Sequence, residues 1–288
     1  MKFIIKADKP SDVKQSGPRT SSDTERVETF DCSGPITAQI TTSSGDVTIG
    51  ASETSIIEVT LSVKEAASAH LLDDAVIKFD AQKRFLEVRS RTHDSGDAIR
   101  GLKSVIRHSN WFEFGESGPD VHVALPEGST IEVATASGDT DIIGNLARAS
   151  VASASGGVRV ADEVGSLEMK TASGDVTTAT VRESLTCHSA SGNVRCEGVG
   201  AKTKIRTASG SVRLTAEVPS EISIQTVSGN VNVTVARGLE VDVDATSISG
   251  RLMSTMPLDS ADGGPATNDV VSISAKTVSG NVSIDSSN

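Results

Sequence analysis

The sequence predicts an all-β protein: a β-solenoid of parallel strands whose coils take about 18 residues each. Three observations carry this reading. A Thr/Ser-x-Ser-Gly corner recurs with its glycines 18 residues apart. Apolar residues alternate with polar ones around each corner, the signature of strands with one face in and one out. No aromatic residue follows Phe114. The seven in the chain are Phe3, Phe30, Phe79, Phe85, Trp111, Phe112 and Phe114, and there is no Tyr. A core without aromatics must be thin and built of small aliphatics.

Taken in order, residues 1–22 are polar and are expected to form a flexible tail. Alternating runs then predict strands over Ile36–Ile40, Val47–Ile49, Ile56–Val63, Val76–Phe79, Phe85–Ser90 and Val121–Leu125. Glu65–Ala75 reads as one short helix with Ala69 and Leu72 on its apolar side. Thr92–Gly118 is a long irregular stretch holding Trp111-Phe-Glu-Phe114. With Phe79 and Phe85 this stretch is the expected cap of the first coil, since the ends of a coil stack need covering. Deleting residues 1–115 should then leave a remainder that aggregates. Pro126-Glu-Gly128 punctuates the passage into the coils. Residues 23–288 thus read as one domain, with irregular strands and cap over 23–128 and regular coils over 129–288.

The regular corners are Thr135-Ala-Ser-Gly138, Ser153-Ala-Ser-Gly156, Thr171-Ala-Ser-Gly174, Ser189-Ala-Ser-Gly192 and Thr207-Ala-Ser-Gly210. They continue at Gly229, Gly250 and Gly280 with wider spacing, and Thr42-Ser-Ser-Gly45 stands apart upstream. Each repeat holds two short strands that cannot bury their apolar side alone, so neighbouring repeats must share a core. A calcium-binding roll would need two Gly-Asp units per turn, and a hexapeptide helix an apolar residue every six; neither pattern is present. The residue after the glycine runs Asp139, Gly157, Asp175, Asn193, Ser211, Asn230, Arg251. No two successive repeats place an acid there, as if a carboxylate ladder were being avoided. Met256–Pro265 reads as a loop insertion near 256–269.

The corner pattern, the lead-in Val121-His-Val-Ala-Leu-Pro-Glu-Gly-Ser129 and the closing Lys276-Thr-Val-Ser-Gly-Asn-Val-Ser-Ile284 resemble a bacterial "putative adhesin" family of unknown function, related to the head GIN domain. The resemblance covers roughly residues 25–285. It implies a right-handed parallel β-helix and carries no catalytic residues. Right-handed crossovers are also the general rule for parallel strands.

The formal net charge of −11 is spread over both parts of the chain, which leans away from nucleic acid. No apolar run approaches the ~20 residues that span a bilayer. The apolar run Phe3–Ile5 is too short for a secretory signal. Cys32, Cys187 and Cys196 suit a reducing compartment. The expectation is therefore a cytoplasmic protein. Cys187 and Cys196 fall at inward positions of adjacent coils, to be buried as small hydrophobes, with a disulfide left open. The histidines show no metal-ligand spacing, and no metal or cofactor is expected.

Two surface features are candidates for binding. Thr135, Thr171 and Thr207, with Ser137, Ser173 and Ser209, belong to two hydroxyl rows. With the Ala, Val or Ile between them inward, both rows are expected to point outward or flank the corner. They could meet a repetitive partner such as a polysaccharide or ice. The local alternative is that they bond the turn backbone and each other, which such residues do by habit. Arg159, Arg195 and Arg213 share one outward row; Lys170, His188 and Arg206 share another, with Lys204 nearby. Together they could receive an anionic ligand, an acidic glycan or lipid headgroup, or form a solvated face. No catalytic motif is present. Gly198-Val-Gly-Ala-Lys-Thr203 lacks the helix that a phosphate loop needs. The expected function is a non-enzymatic binding or scaffold surface for an unknown protein or surface partner. A carbohydrate adhesin is the alternative, and a β-helix enzyme follows behind it for want of a cleft.

Overall fold

The computed structural model describes residues 19–90, 118–255 and 270–287. Each coil has a first-face strand that runs into the corner glycine and a second-face strand that leaves it. Across the regular part the first face stacks Thr130–Ser137, Leu146–Ser155, Val164–Ser173, the second half of Val176–Ser191, Lys202–Ser209 and Ser220–Ser228. The second face stacks Thr140–Ile143, Val158–Val160, the first half of Val176–Ser191, Val194–Val199, Val212–Ala216 and Val231–Val235. All these pairings are parallel; the register shifts between Val164 and Ser166 and between Cys196 and Val199, but it is kept at the corner, where Thr135, Ser153, Thr171, Ser189, Thr207 and Thr226 lie in a line.

At both ends the chain leaves sequence order. Thr37–Ser44 and Val47–Ser52 form a coil directly against Thr130–Ile143, with Thr42 beside Thr135. The upstream corner at Gly45 is thus a full rung of the stack. Phe85–Ser90 and Asp120–Pro126 lie outside it, again in parallel register. At the other end Val270–Ser279 and Val282–Ser286 slot between the coil ending at Val235 and the coil Glu240–Ser254. The irregular spacing of the last corners has this cause: the final coil in sequence is the penultimate one in space.

The N-terminal end closes with antiparallel strands. Ile56–Ser62 pairs with Asp120–Pro126, Glu25–Asp31 with Ile56–Ser62, and Arg19–Ser21 with Glu25–Asp31. Glu25–Asp31 is a strand that the sequence reading missed, because its inward residues are Arg26, Glu28 and Phe30. Arg26 stays buried because every charge is met. Its guanidinium donates to Glu28 Oε1 at 2.5 and 2.9 Å, and to the Leu72 and Ala75 carbonyls at 2.6 and 2.8 Å. Those carbonyls end a short helix, His70–Asp74, preceded by a 3-10 turn Ala66–Ser68; Leu71 and Leu72 are its buried residues. Phe79 packs on Phe30 with ring centroids 5.5 Å apart. Trp111, Phe112 and Phe114, assigned to a cap by the sequence, lie outside the described residues, as do residues 1–18 and the insertion 256–269.

One continuous core runs from Phe30 to Ile284, built of aliphatic rows such as Val158, Val176, Val194, Val212 and Val231. It corrects the expected phase of the corner. Thr135, Thr171 and Thr207 are buried, whereas Ala172, Ala190 and Ala208 are exposed. Parity is the reason. Met169 is inward, and the strand runs unbroken to Ser173, so Thr171 follows it inward and Ala172 must face out. The outward threonine lattice does not exist. Three threonines of the row donate instead to the carbonyl two residues on: Thr42 to Ser44 at 2.8 Å, Thr135 to Ser137 at 3.3 Å and Thr207 to Ser209 at 3.2 Å. Ser137, Ser173 and Ser209 remain exposed at the corner.

Candidate functional site

The corner is built on glycine. Gly174 has φ +145°, and a Cβ there would run into the Gly156 carbonyl of the neighbouring coil. Gly138, Gly156, Gly192, Gly210, Gly229 and Gly280 share both features and Gly250 shares the close approach, so the backbones of successive corners lie in direct contact.

The next residue supplies a second ladder. Its side-chain oxygen accepts from the backbone N–H of the equivalent residue one coil on. Asp175 Oδ1 accepts from Asn193 N at 2.7 Å, and Asn193 Oδ1 from Ser211 N at 3.1 Å. Asn230 Oδ1 accepts from Asn281 N, and Asn281 Oδ1 from Arg251 N, both at 2.9 Å. At the N-terminal end Asp120, Asp46 and Asp139 continue the series toward Gly157, with bonds of 2.8, 2.9 and 2.7 Å. Acids are therefore adjacent there, contrary to the sequence expectation. The order of coils in space brings them together, and each carboxylate is anchored by a backbone N–H.

Beside this ladder lies a shallow open groove of about 610 Å³ on the second face. One wall is Asp175, Asn193, Ser211, Asn230 and Asn281. The other follows one outward row through six rungs: Thr177, Arg195, Arg213, Asn232, Ser283 and Met253. Arg195 and Arg213 occupy adjacent rungs. Glu197 lies 4.0 Å from Arg195, and Arg213 has no hydrogen-bond or ion-pair partner among the described residues.

The other basic candidates do not join them. Arg159 is in the same row but sits beyond Thr177, outside the groove. Lys170, His188 and Arg206 form consecutive rungs on the first face, with Lys204 in the row beside them. The six cations named from sequence thus divide between two faces. Lys170 is engaged by Glu168 at 2.6 Å, and that bond holds the Glu168 carboxyl below its usual range. Partial burial pushes the His188 imidazole below its ordinary value, and the neighbouring Arg206, Lys170 and Lys204 add to the shift.

Cys187 and Cys196 lie on the two strands flanking the Gly192 corner, in one coil rather than in adjacent coils. Both are free and buried. Burial pushes the thiols up to about 12 and about 11. Among the described residues no three His, Cys, Asp or Glu side chains come together as a metal cage, and no helix is long and apolar enough to cross a membrane.

The sequence reading missed Asn193, Asn230 and Asn281 as site residues. It read the position after the glycine as a row that keeps acids apart, not as a wall of a binding site. The available signal was the coincidence of that row with the Arg195/Arg213 row two residues later.

Similarity to known proteins is broad and distant. A "putative adhesin" from Bacteroides fragilis shares 11% identity and a TM-score of 0.47, covering 91% of this chain and 98% of its own. A "putative adhesin" from Parabacteroides distasonis shares 9% identity and a TM-score of 0.41, covering 94% and 98%. A "putative cell adhesion protein" from Clostridium sporogenes shares 11% and a TM-score of 0.29, covering 91% and 99%. No curated protein matches the chain. The Toastrack DUF4097 family matches residues 37–285, most of the chain, and the protein belongs to that family.

Proposed function

We propose that this protein is a non-enzymatic binding surface, adhesin-like in use, whose ligand is an extended chain lying along the rod in the second-face groove. The supporting observation is the groove itself, which crosses six rungs with one row of side chains on each wall. Rungs repeat every ~4.8 Å, so the groove offers the same kind of contact many times over. That suits a polymer better than a compact molecule, which is normally held in an enclosing pocket. Among the described residues Asp175 is the one carboxylate that lines the groove, whereas glycoside hydrolysis ordinarily needs two.

A protein-scaffold role is the second reading. Its support is the run Val227, Val278 and Ile248 on the first face, three neighbouring rungs that are 55%, 45% and 78% exposed. Two variants separate the readings in a binding screen against glycans and proteins. Ser211→Trp fills the groove; Val278→Lys breaks the apolar run. Loss of ligand in the first alone supports the groove, and loss in the second alone supports the scaffold.

A further inference from the structure

We infer that the groove takes an acidic polysaccharide, held by a donor array of Arg195, Arg213, Asn230 and Asn281. The inference rests on the groove reading above and adds the ligand's chemistry to it. It follows from the way the corner ladder uses the asparagine amides. An amide has one acceptor oxygen and one NH2 donor group. Asn230 Oδ1 is occupied by the Asn281 N–H, and Asn281 Oδ1 by the Arg251 N–H. A backbone N–H can face only the oxygen, so the amide orientation is fixed by chemistry. The NH2 groups of Asn230 and Asn281 are left over, exposed on the groove wall, and have no partner among the described residues. On the opposite wall two guanidiniums stand on adjacent rungs, and among the described residues Glu197 is the ion-pair neighbour of Arg195. Guanidiniums donate and cannot accept. Among the described lining residues two guanidiniums stand against one carboxylate, Asp175, so the groove is rich in donors and its lining carries a small positive excess against an overall charge of −11. Carboxylate or sulfate oxygens are the natural complement, since hydrogen bonds between charged partners are the strong ones.

Rung spacing decides which anionic polymer fits. An extended polypeptide rises 3.2–3.4 Å per residue, so its like-facing side chains recur about every 6.6 Å and drift against rungs of ~4.8 Å. A linked pyranose advances its chain by a step close to one rung. Single-stranded nucleic acid is usually held by stacking on aromatics, and among the described residues no aromatic lines the groove.

The test measures binding of the full chain to immobilised polygalacturonate, dextran sulfate, dextran and polyglutamate at low and high salt. Expected is salt-sensitive binding of one or both acidic polysaccharides, and little of dextran or polyglutamate. The carboxylate and sulfate arms identify which acid is preferred. Arg195→Gln/Arg213→Gln should weaken binding about tenfold or more, while Arg159→Gln, outside the groove, should not. These residues are exposed, so the variants keep the fold, as circular dichroism will verify. Dextran binding as tightly as the acidic chains, or an unaffected double variant while Ser211→Trp abolishes binding, overturns the acidic class and leaves the groove reading standing. Polyglutamate binding as tightly as polygalacturonate overturns the choice of a glycan. No polysaccharide binding, or binding indifferent to Ser211→Trp, overturns this inference; in the second case the groove reading falls with it.

Discussion

Thr226 pairs in register with Thr277, and Ser247 lies on the far side of Thr277. The last coil of the sequence is therefore enclosed, and among the described residues the coil Glu240–Ser254 forms the end of the rod. Its apolar residues show the consequence: Val243 and Leu252 remain 39% and 53% exposed in rows that are buried elsewhere.

Cysteine pairs can check this order directly. Asn232 and Ser283 are outward neighbours, whereas Met253 lies one rung beyond Ser283. Adjacent rungs at ~4.8 Å are within disulfide reach, and two rungs are not. Mild oxidation should link Asn232→Cys to Ser283→Cys and leave Asn232→Cys with Met253→Cys unlinked. Mass spectrometry of peptides distinguishes the two outcomes.

The inward threonine row predicts opposite effects at two equivalent positions. Thr171 Oγ1 is buried without a hydrogen-bond partner, while Thr207 Oγ1 donates to the Ser209 carbonyl at 3.2 Å. Thr171→Val should leave stability unchanged or raise it by up to about 1 kcal/mol, and Thr207→Val should lower it by about 1 kcal/mol. Urea unfolding of the two variants measures the difference. Equal losses would show that the Thr207–Ser209 hydrogen bond does not set the two hydroxyls apart.

Arg195 and Arg213 sit on adjacent rungs, and like charges placed so are mildly destabilising. Arg213→Gln should therefore stabilise the fold by about 0.2–1 kcal/mol while weakening the ligand. Paired unfolding and binding measurements will show whether the two properties move in opposite directions, as a site kept for binding requires.

Cys187 and Cys196 have thiols held at about 12 and about 11 by burial. The thiolate is the reactive form, and at neutral pH it is nearly absent. Neither should react with a thiol reagent at pH 8 until the chain is unfolded, and both should then react fully. Rapid labelling of Cys187 in the native protein would mean that the middle coils open readily.

Much of the fold was legible because the coil forces regularity on the chain. The glycine spacing and the valine row at Val158, Val176 and Val194 located the two faces and their strands. Three things were not legible, each for a physical reason. The order of coils at the ends depends on which strand edges meet in space, which a spacing cannot encode. Glu25–Asp31 hid because an ion pair between Arg26 and Glu28 occupies inward positions. The Thr row was assigned to the wrong side because Ala172 was taken as core by its hydropathy, when parity with Met169 excludes it. Of the candidate site, the Arg195/Arg213 row was legible as an outward run. Its separation from Lys170 and Arg206 was not, since both rows read as outward and only the corner between them puts them on different faces.

In the proposed mode of binding one chain lies along the rod and touches successive rungs. The most direct measurement is the affinity of the protein for a ladder of galacturonate oligomers of increasing length. The groove spans the rungs of Thr177, Arg195, Arg213, Asn232, Ser283 and Met253. Affinity should rise with each added sugar until the oligomer covers those rungs, at about six residues, and then level off. A dimer that binds as tightly as the longest oligomer would show that the ligand does not run along successive rungs.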